Sequence, residues 1–281
     1  MIIKVKNPEA LKEMLSEKEL VLYGMGTIGR KIAEWLDSQK IHYVVADRNI
    51  KGKQENVHKA IVSPEEVIRN HKEANIIVST NLYFDEIKNE LLNQGFKDSQ
   101  ILSFSLFIPE NLTWKDLEDN IDWNLMKPSV ELFARWIEPE DKSLIDYGAG
   151  QMYLKSFLAS DVIYYPIDYI KRFDETIVCD LNTGDFPNVG VDVVVLNGVL
   201  EFLSTAEKLL EHVCQQARKK IIISYMTLDK FSNRESRRAS GYVSDLTEQR
   251  IIELLHRGGF ELVCKTTDPL DVTDTIYLFN K

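Results

Sequence analysis

Residues 143–168 read SLIDYGAGQMYLKSFLASDVIYYPID. An apolar run ends in Asp146, and a glycine-spaced turn, Gly148-Ala149-Gly150, follows it. Tyr153, Leu154, Phe157 and Leu158 then recur at helical spacing, and a second apolar run, Val162 to Tyr165, closes on Asp168. The pattern predicts strand, tight turn, helix and strand, with a carboxylate at the tip of the second strand. Glycine lets backbone approach a ligand that a Cβ would push away. A helix start offers free N–H groups. A strand-end carboxylate accepts both hydroxyls of a ribose. The stretch therefore reads as a seat for a nucleoside-containing cofactor.

The same plan occurs earlier in the chain. Leu20 to Tyr23 is an apolar run, followed by Gly24-Met25-Gly26-Thr27-Ile28-Gly29, a helical pattern through Ile32, Ala33 and Leu36, and a second strand, Tyr43 to Ala46, ending on Asp47. Order, spacing and terminal acid match the dinucleotide fingerprint, so Gly24, Gly26, Gly29 and Asp47 form a second candidate nucleotide site. Such a turn also serves to pack helix on strand, and both readings stand. A short amphipathic helix over residues 8 to 17 precedes it. Ser63-Pro64 opens another helix with Ser63 as N-cap. Asn75 to Ser79 and Gln100 to Ser103 read as further strands around a helix from Phe84 to Asn93. Residues 1–105 thus predict a small parallel sheet with intervening helices. Residues 106–124, with Trp114, Trp123 and Pro109, read as a connector, and an amphipathic helix from Val130 to Ile137 leads into a second domain spanning 125–281.

Length and composition agree. A chain of 281 residues suggests two domains. The net charge of −10 argues against a nucleic-acid partner, because phosphate binding needs clustered Lys and Arg. No apolar run is long enough for a bilayer span. The N-terminus lacks the apolar core of a signal peptide. Cys179, Cys214 and Cys264 are widely spaced and form no CxxC, which predicts unpaired thiols in a reducing cytoplasm. The histidines, His42, His58, His71, His212 and His256, show no metal-ligand spacing, so no metal is expected.

After Asp168 the chain predicts a short strand at Thr176 to Val178, a buried strand from Val191 to Leu196, a helix from Ala206 to Gln216 and a strand from Lys220 to Tyr225. A polar loop, Thr227 to Ser244, carries Arg234, Arg237 and Arg238. These read as a solvated loop or as anion clamps for an acidic substrate. A helix from Glu248 ends at Gly258-Gly259. Phe260 to Cys264 and Asp274 to Phe279 leave no room for a helix between them and predict an antiparallel pair at one sheet edge.

Seven strands, helices between the first six, and a terminal antiparallel hairpin resemble the class I methyltransferases that use S-adenosyl-L-methionine (SAM). The expected architecture is α/β, two Rossmann-like domains, the second a seven-stranded methyltransferase sheet. By that resemblance Asp146, Gly148 and Gly150 belong to the first motif, with Asp146 toward the methionine amino group. Asp168 holds the ribose, Asp180 and Leu181 clamp adenine, and Asn197 lines the methionine end. Glu201 faces the acceptor. Met152 departs from the family, which often has a glycine there. Glu201, Tyr225, Asp229 and Asp245 are candidate bases near the cleft, with Glu201 and Tyr225 chosen as catalytic. The first half is similar to small Rossmann-like domains attached to sugar-methylating enzymes. The resemblance implies methyl transfer to a hydroxyl of a sugar, nucleotide-sugar or glycan. An NAD(P)-dependent oxidoreductase, through Gly24 to Asp47, and a non-catalytic binding protein are the alternatives. Homo-oligomer formation stays open.

Overall fold

The computed structural model describes residues 5, 7–48, 61–80, 83–108, 123, 127–269, 271 and 274–281. The chain divides into two compact units, Met1–Asn120 with Glu235–Gly241, and Ile121–Arg234 with Tyr242–Lys281. Most of the connector, including Trp114 and Pro109, lies outside the described residues.

In the first unit the order is α1 (Pro8–Ser16), β1 (Leu20–Tyr23), α2 (Thr27–Ser38), β2 (Val44–Ala46), β3 (Ile61–Val62), α3 (Pro64–Asn70), β4 (Asn75–Val78), α4 (Phe84–Asn93) and β5 (Ile101–Ser103). The strands lie β3-β2-β1-β4-β5, every neighbour parallel. Asn7 caps α1 and Ser63 caps α3 by accepting from Ala10 N and Glu66 N. β1 and β4 are buried at every residue, which is why Leu20 to Tyr23 and Ile76 to Val78 read as apolar runs. One face packs α1 and α2 residues such as Leu15, Ile32 and Leu36 against Leu20 and Leu22. The other packs Val67, Phe84, Ile87 and Leu91 against Val21 and Ile76.

The second unit contains α5 (Lys127–Ala134), β6 (Ser143–Tyr147), β7 (Ile163–Asp168), β8 (Ile177–Val178), β9 (Val191–Asn197), α6 (Ala206–Gln216), β10 (Ala217–Tyr225), the start of α7 (Arg234–Ala239), α8 (Glu248–Arg257), β11 (Glu261–Thr267) and β12 (Thr275–Asn280). Its strands lie β11-β12-β10-β9-β6-β7-β8, with β12 antiparallel to both neighbours and the rest parallel. Alternation along β6 and β9 sends Ile145, Val194 and Leu196 to the face covered by α6 and α8. Leu144, Val193 and Val195 go to the face covered by α5.

Two expectations need correction. No α-helix lies between β6 and β9; the pattern at Tyr153–Phe157 is a 3-10 turn. The chain must descend a strand's length before β7 starts, about 17 Å, which an α-helix covers in about 11 residues. Met152, left-handed, and Leu158, extended, bracket only five residues, Tyr153–Phe157, so extended chain makes the descent. No α-helix follows β6, β7 or β8, and Ile163, Ile177 and Val178 are exposed. The polar stretch Thr227 to Ser244 likewise contains a helix, α7, and its residues Glu235–Gly241 belong to the first unit, where Ala239 joins the core.

Candidate functional site

Strand order reverses between β6 and β9: β7 and β8 extend to one side, β10 and β12 to the other. Ligands of open α/β sheets bind at such a switch point, beyond the carboxyl ends of the strands. Register brings Asp146 opposite Val195, Tyr147 opposite Ile167 and Leu196, and Asn197 opposite Ser224. The ends of four strands thus place Asp146, Asp168, Asn197 and Ser224 along one edge.

The turn after β6 is fixed by its backbone. Gly148 N and Ala149 N both donate to Ile167 O, at 2.8 and 2.9 Å. Gly148 (φ 76°) and Gly150 (φ 50°) are left-handed, as a turn this tight requires. A Cβ on Gly148 would lie 2.9 Å from Val199 Cγ2, so the turns after β6 and β9 are in contact across the switch point. Met152 is also left-handed (φ 54°) and is buried. This is the physical reason a glycine suits the position; a side chain there costs about 1–2 kcal/mol.

Asp168 is buried and organises the turn. Its Oδ2 accepts from Gly150 N at 2.9 Å and its Oδ1 from Ile170 N at 3.1 Å. Arg172 Nε lies 3.9 Å from Oδ2, and the Arg172 guanidinium stacks 5.1 Å from the Trp123 ring. That ring lies over Gly150, where a Cβ would come within 2.6 Å of it. Trp123 and Arg172 were not legible as site residues: nothing in the local pattern marks either.

Asp146 is buried and accepts from Tyr164 Oη at 2.6 Å. Burial pushes its carboxyl up to about 7; the Tyr164 bond opposes this, and the Asp168 carboxylate adds to it. Asp146 pairs with Pro166, two residues before Asp168, so the two acids lie near each other at the strand tips. The folded state therefore holds a proton that the unfolded chain releases above 3.8. Stability from this group is full below that value and is lost as pH rises through about 7. Asp146→Asn should flatten this fall. Urea unfolding of both proteins at pH 5 and pH 8 checks it, with the smaller difference expected in the variant.

The remaining predicted residues are placed as follows. Asp180 is exposed and caps a 3-10 turn by accepting from Asn182 N, and Leu181 is buried in the core. Asn197 Oδ1 accepts from Ser224 Oγ at 3.0 Å. Glu201 is buried, with Oε1 accepting from Met226 N at 2.9 Å. Tyr225 is a core residue: it is fully buried, its hydroxyl lies 2.9 Å from Ser244 Oγ, and it accepts from Leu246 N. Arg234 is exposed and pairs with Asp245 at 2.7 Å. Arg237, fully buried, and Arg238, exposed, belong to the first unit, so the three arginines are divided between the units. In the first unit Asp47 is buried and its Oδ2 accepts from Met25 N at 2.8 Å, a bond of the same kind as Asp168 makes. A Cβ on Gly29 would lie 2.0 Å from Gly24 O, whereas one on Gly26 would meet nothing within 4 Å. Among the described residues no group of His, Cys, Asp and Glu could hold a metal ion, and no helix is long and apolar enough to cross a membrane.

The second unit has the class I methyltransferase fold: seven strands, with β12 inserted antiparallel between β10 and β11. No family model matches the chain, and no curated protein matches it. Among solved structures it is similar to magnesium protoporphyrin IX methyltransferase from Synechocystis PCC 6803 with bound SAM, at 14% identity and TM-score 0.45, over 61% of this chain and 92% of that one. It is also similar to 1,6-didemethyltoxoflavin-N1-methyltransferase from Burkholderia thailandensis, at 16% identity and TM-score 0.44, over 59% and 81%. The pyocyanin biosynthetic protein PhzM is 14% identical with TM-score 0.46, over 72% and 68%. These likenesses are of fold; the site rests on this chain's own residues.

Proposed function

We propose that the chain is a methyltransferase that binds SAM at the carboxyl edge of the second sheet and methylates a small polar acceptor. The observation that carries this reading is the pair of neighbouring buried acids, Asp146 and Asp168, on either side of a left-handed glycine turn at the switch point. The residues fit the cofactor. An ionised carboxylate has about four acceptor positions, and Asp168 uses one on each oxygen for backbone N–H groups. The positions left suit the two hydroxyls of a ribose. Asp146 supplies an acceptor for an ammonium, and exposed Asp180 one for an exocyclic amine.

Bound SAM supplies a methyl already activated by its sulfonium. What this chain adds is position: it holds the acceptor in line, about 3 Å from the methyl, and excludes water. Glu201, behind β9, is the group proposed to face the acceptor and take its proton. Tyr225 acts through the segment it anchors, Ser244 to Leu246. A sugar, nucleotide-sugar or glycan hydroxyl is the acceptor proposed, on the sequence resemblance. Arg234 is proposed to face an acidic group on it.

Titration calorimetry with SAM, S-adenosylhomocysteine and NADH tests the reading. Micromolar SAM binding is expected. Binding of NADH alone would transfer the function to the Gly24–Asp47 turn, and binding of none would leave a fold without its cofactor.

A further inference from the structure

A cleft of about 590 Å³ lies on the flank of the second unit, between the β8–β9 connection and the second half of α6. It is lined by Cys179, Asp185, Phe186, Asn188, His212 and Gln216, among others, and by no Lys or Arg. Its size is that of small-molecule sites, about 300–1,000 Å³. Gln216 is only 5% exposed, yet its side-chain amide has no hydrogen-bond partner among the described residues. Its amide reaches solvent through the cleft it lines.

We propose that this cleft binds an uncharged nucleobase, free or as its nucleoside. A carboxamide offers a donor and an acceptor side by side, the pattern that pairs with a base edge. Asn188 supplies a second one at the rim. Phe186 and His212, ring centroids 5.2 Å apart and tilted 46° to each other, put two aromatic rings in the lining, on one of which a planar base can stack. His212 Nε2 donates to Pro187 O at 3.0 Å, which leaves Nδ1 of the neutral ring as a further acceptor. Asp185 is the charged group of the lining, so a phosphate meets repulsion and no cation. At one end the cleft reaches the carboxyl edge of the sheet, where Cys179 N donates to Asp168 O at 2.9 Å, and at the other it reaches Gln216. Gln216 directly precedes Ala217, which pairs with Val191 at the opening of β9. It therefore sits a strand's length, about 20 Å, from Asn197 at the other end.

The test is binding of adenosine, uridine and uridine 5′-monophosphate to the full chain, measured by calorimetry on the parent protein and on Gln216→Leu, Asn188→Ala and Asp168→Ala. A nucleoside should bind, weaken at least about tenfold in Gln216→Leu and in Asn188→Ala, and keep its affinity in Asp168→Ala. The monophosphate should bind at least about tenfold more weakly than uridine. Asn188 is exposed, so its variant reads the site even where Gln216→Leu disturbs folding. Absence of nucleoside binding, or binding lost in Asp168→Ala and kept in Asn188→Ala, overturns the proposal.

Discussion

Asp168→Ala should lose SAM affinity at least 100-fold and, independently, destabilise the cofactor-free second unit by several kcal/mol. The first effect follows, on the proposed function, from removal of the acceptor for the two ribose hydroxyls. Hydrogen bonds to a charged group are worth about 1.5–3 kcal/mol each, and about 2.7 kcal/mol is a factor of 100. The second follows from what Asp168 holds in the chain itself. Gly150 N and Ile170 N, 2.9 and 3.1 Å from its oxygens, lose their acceptor, and the turn that carries Gly148 and Gly150 loses its tie to β7. Asp168→Asn keeps one acceptor oxygen and turns an NH₂ toward the other donor, so it should fall between parent and alanine in both respects. Calorimetry with SAM and urea unfolding without it separate the two effects. An alanine variant that binds SAM within threefold of the parent would remove Asp168 from the cofactor site.

Gly29→Ala should destabilise the first unit by about 3 kcal/mol or more, toward the upper end for overpacking. The added Cβ would stand 2.0 Å from the Gly24 carbonyl oxygen and 2.8 Å from Ser79 Oγ. Ser79 can turn, but the carbonyl is backbone at the end of β1 and cannot move without displacing α2 from the sheet. Gly26→Ala is the contrast. Its φ is −70°, open to any residue, and nothing lies within 4 Å of the new methyl, so stability should change by less than about 0.5 kcal/mol. Hydrogen exchange of the β1 and β4 amides, read by mass spectrometry, should show faster opening in the first variant and no change in the second. Equal protection in both would mean that α2 and β1 pack differently from this geometry. Gly26→Ala also serves as the probe of a ligand at this turn, since it leaves the fold intact while filling the space before it.

These two turns show where sequence is enough and where it is not. Leu20 to Tyr23, Ile76 to Val78 and Val191 to Leu196 are buried along their whole length, and their apolar runs, broken only by Asp192, announce it. The hairpin at the end of the chain was legible because Phe260 to Phe279 contains no helical period. The glycine spacings marked both turns, and the acids closing the next strand were marked by position alone. The absent helix between β6 and β7 was not legible. The apolar spacing at Tyr153 to Leu158 fits an α-helix, and only the distance to be covered in so few residues excludes one.

By itself the sequence determined two parallel-strand units, their glycine turns, and the acids Asp47, Asp146 and Asp168 at the strand tips. Periodicity and spacing are local, and these features are local. Only the tertiary structure decided what those acids meet. Asp47 and Asp168 each accept a backbone N–H from the preceding turn, Asp146 lies buried against Tyr164, and Trp123 with Arg172 lies over Gly150. It likewise decided that Tyr225 is core and that Arg237 is buried in the other unit. The reason is physical: a side chain's hydrogen bonds and burial are set by segments that are distant in the chain and become neighbours only when the sheets close.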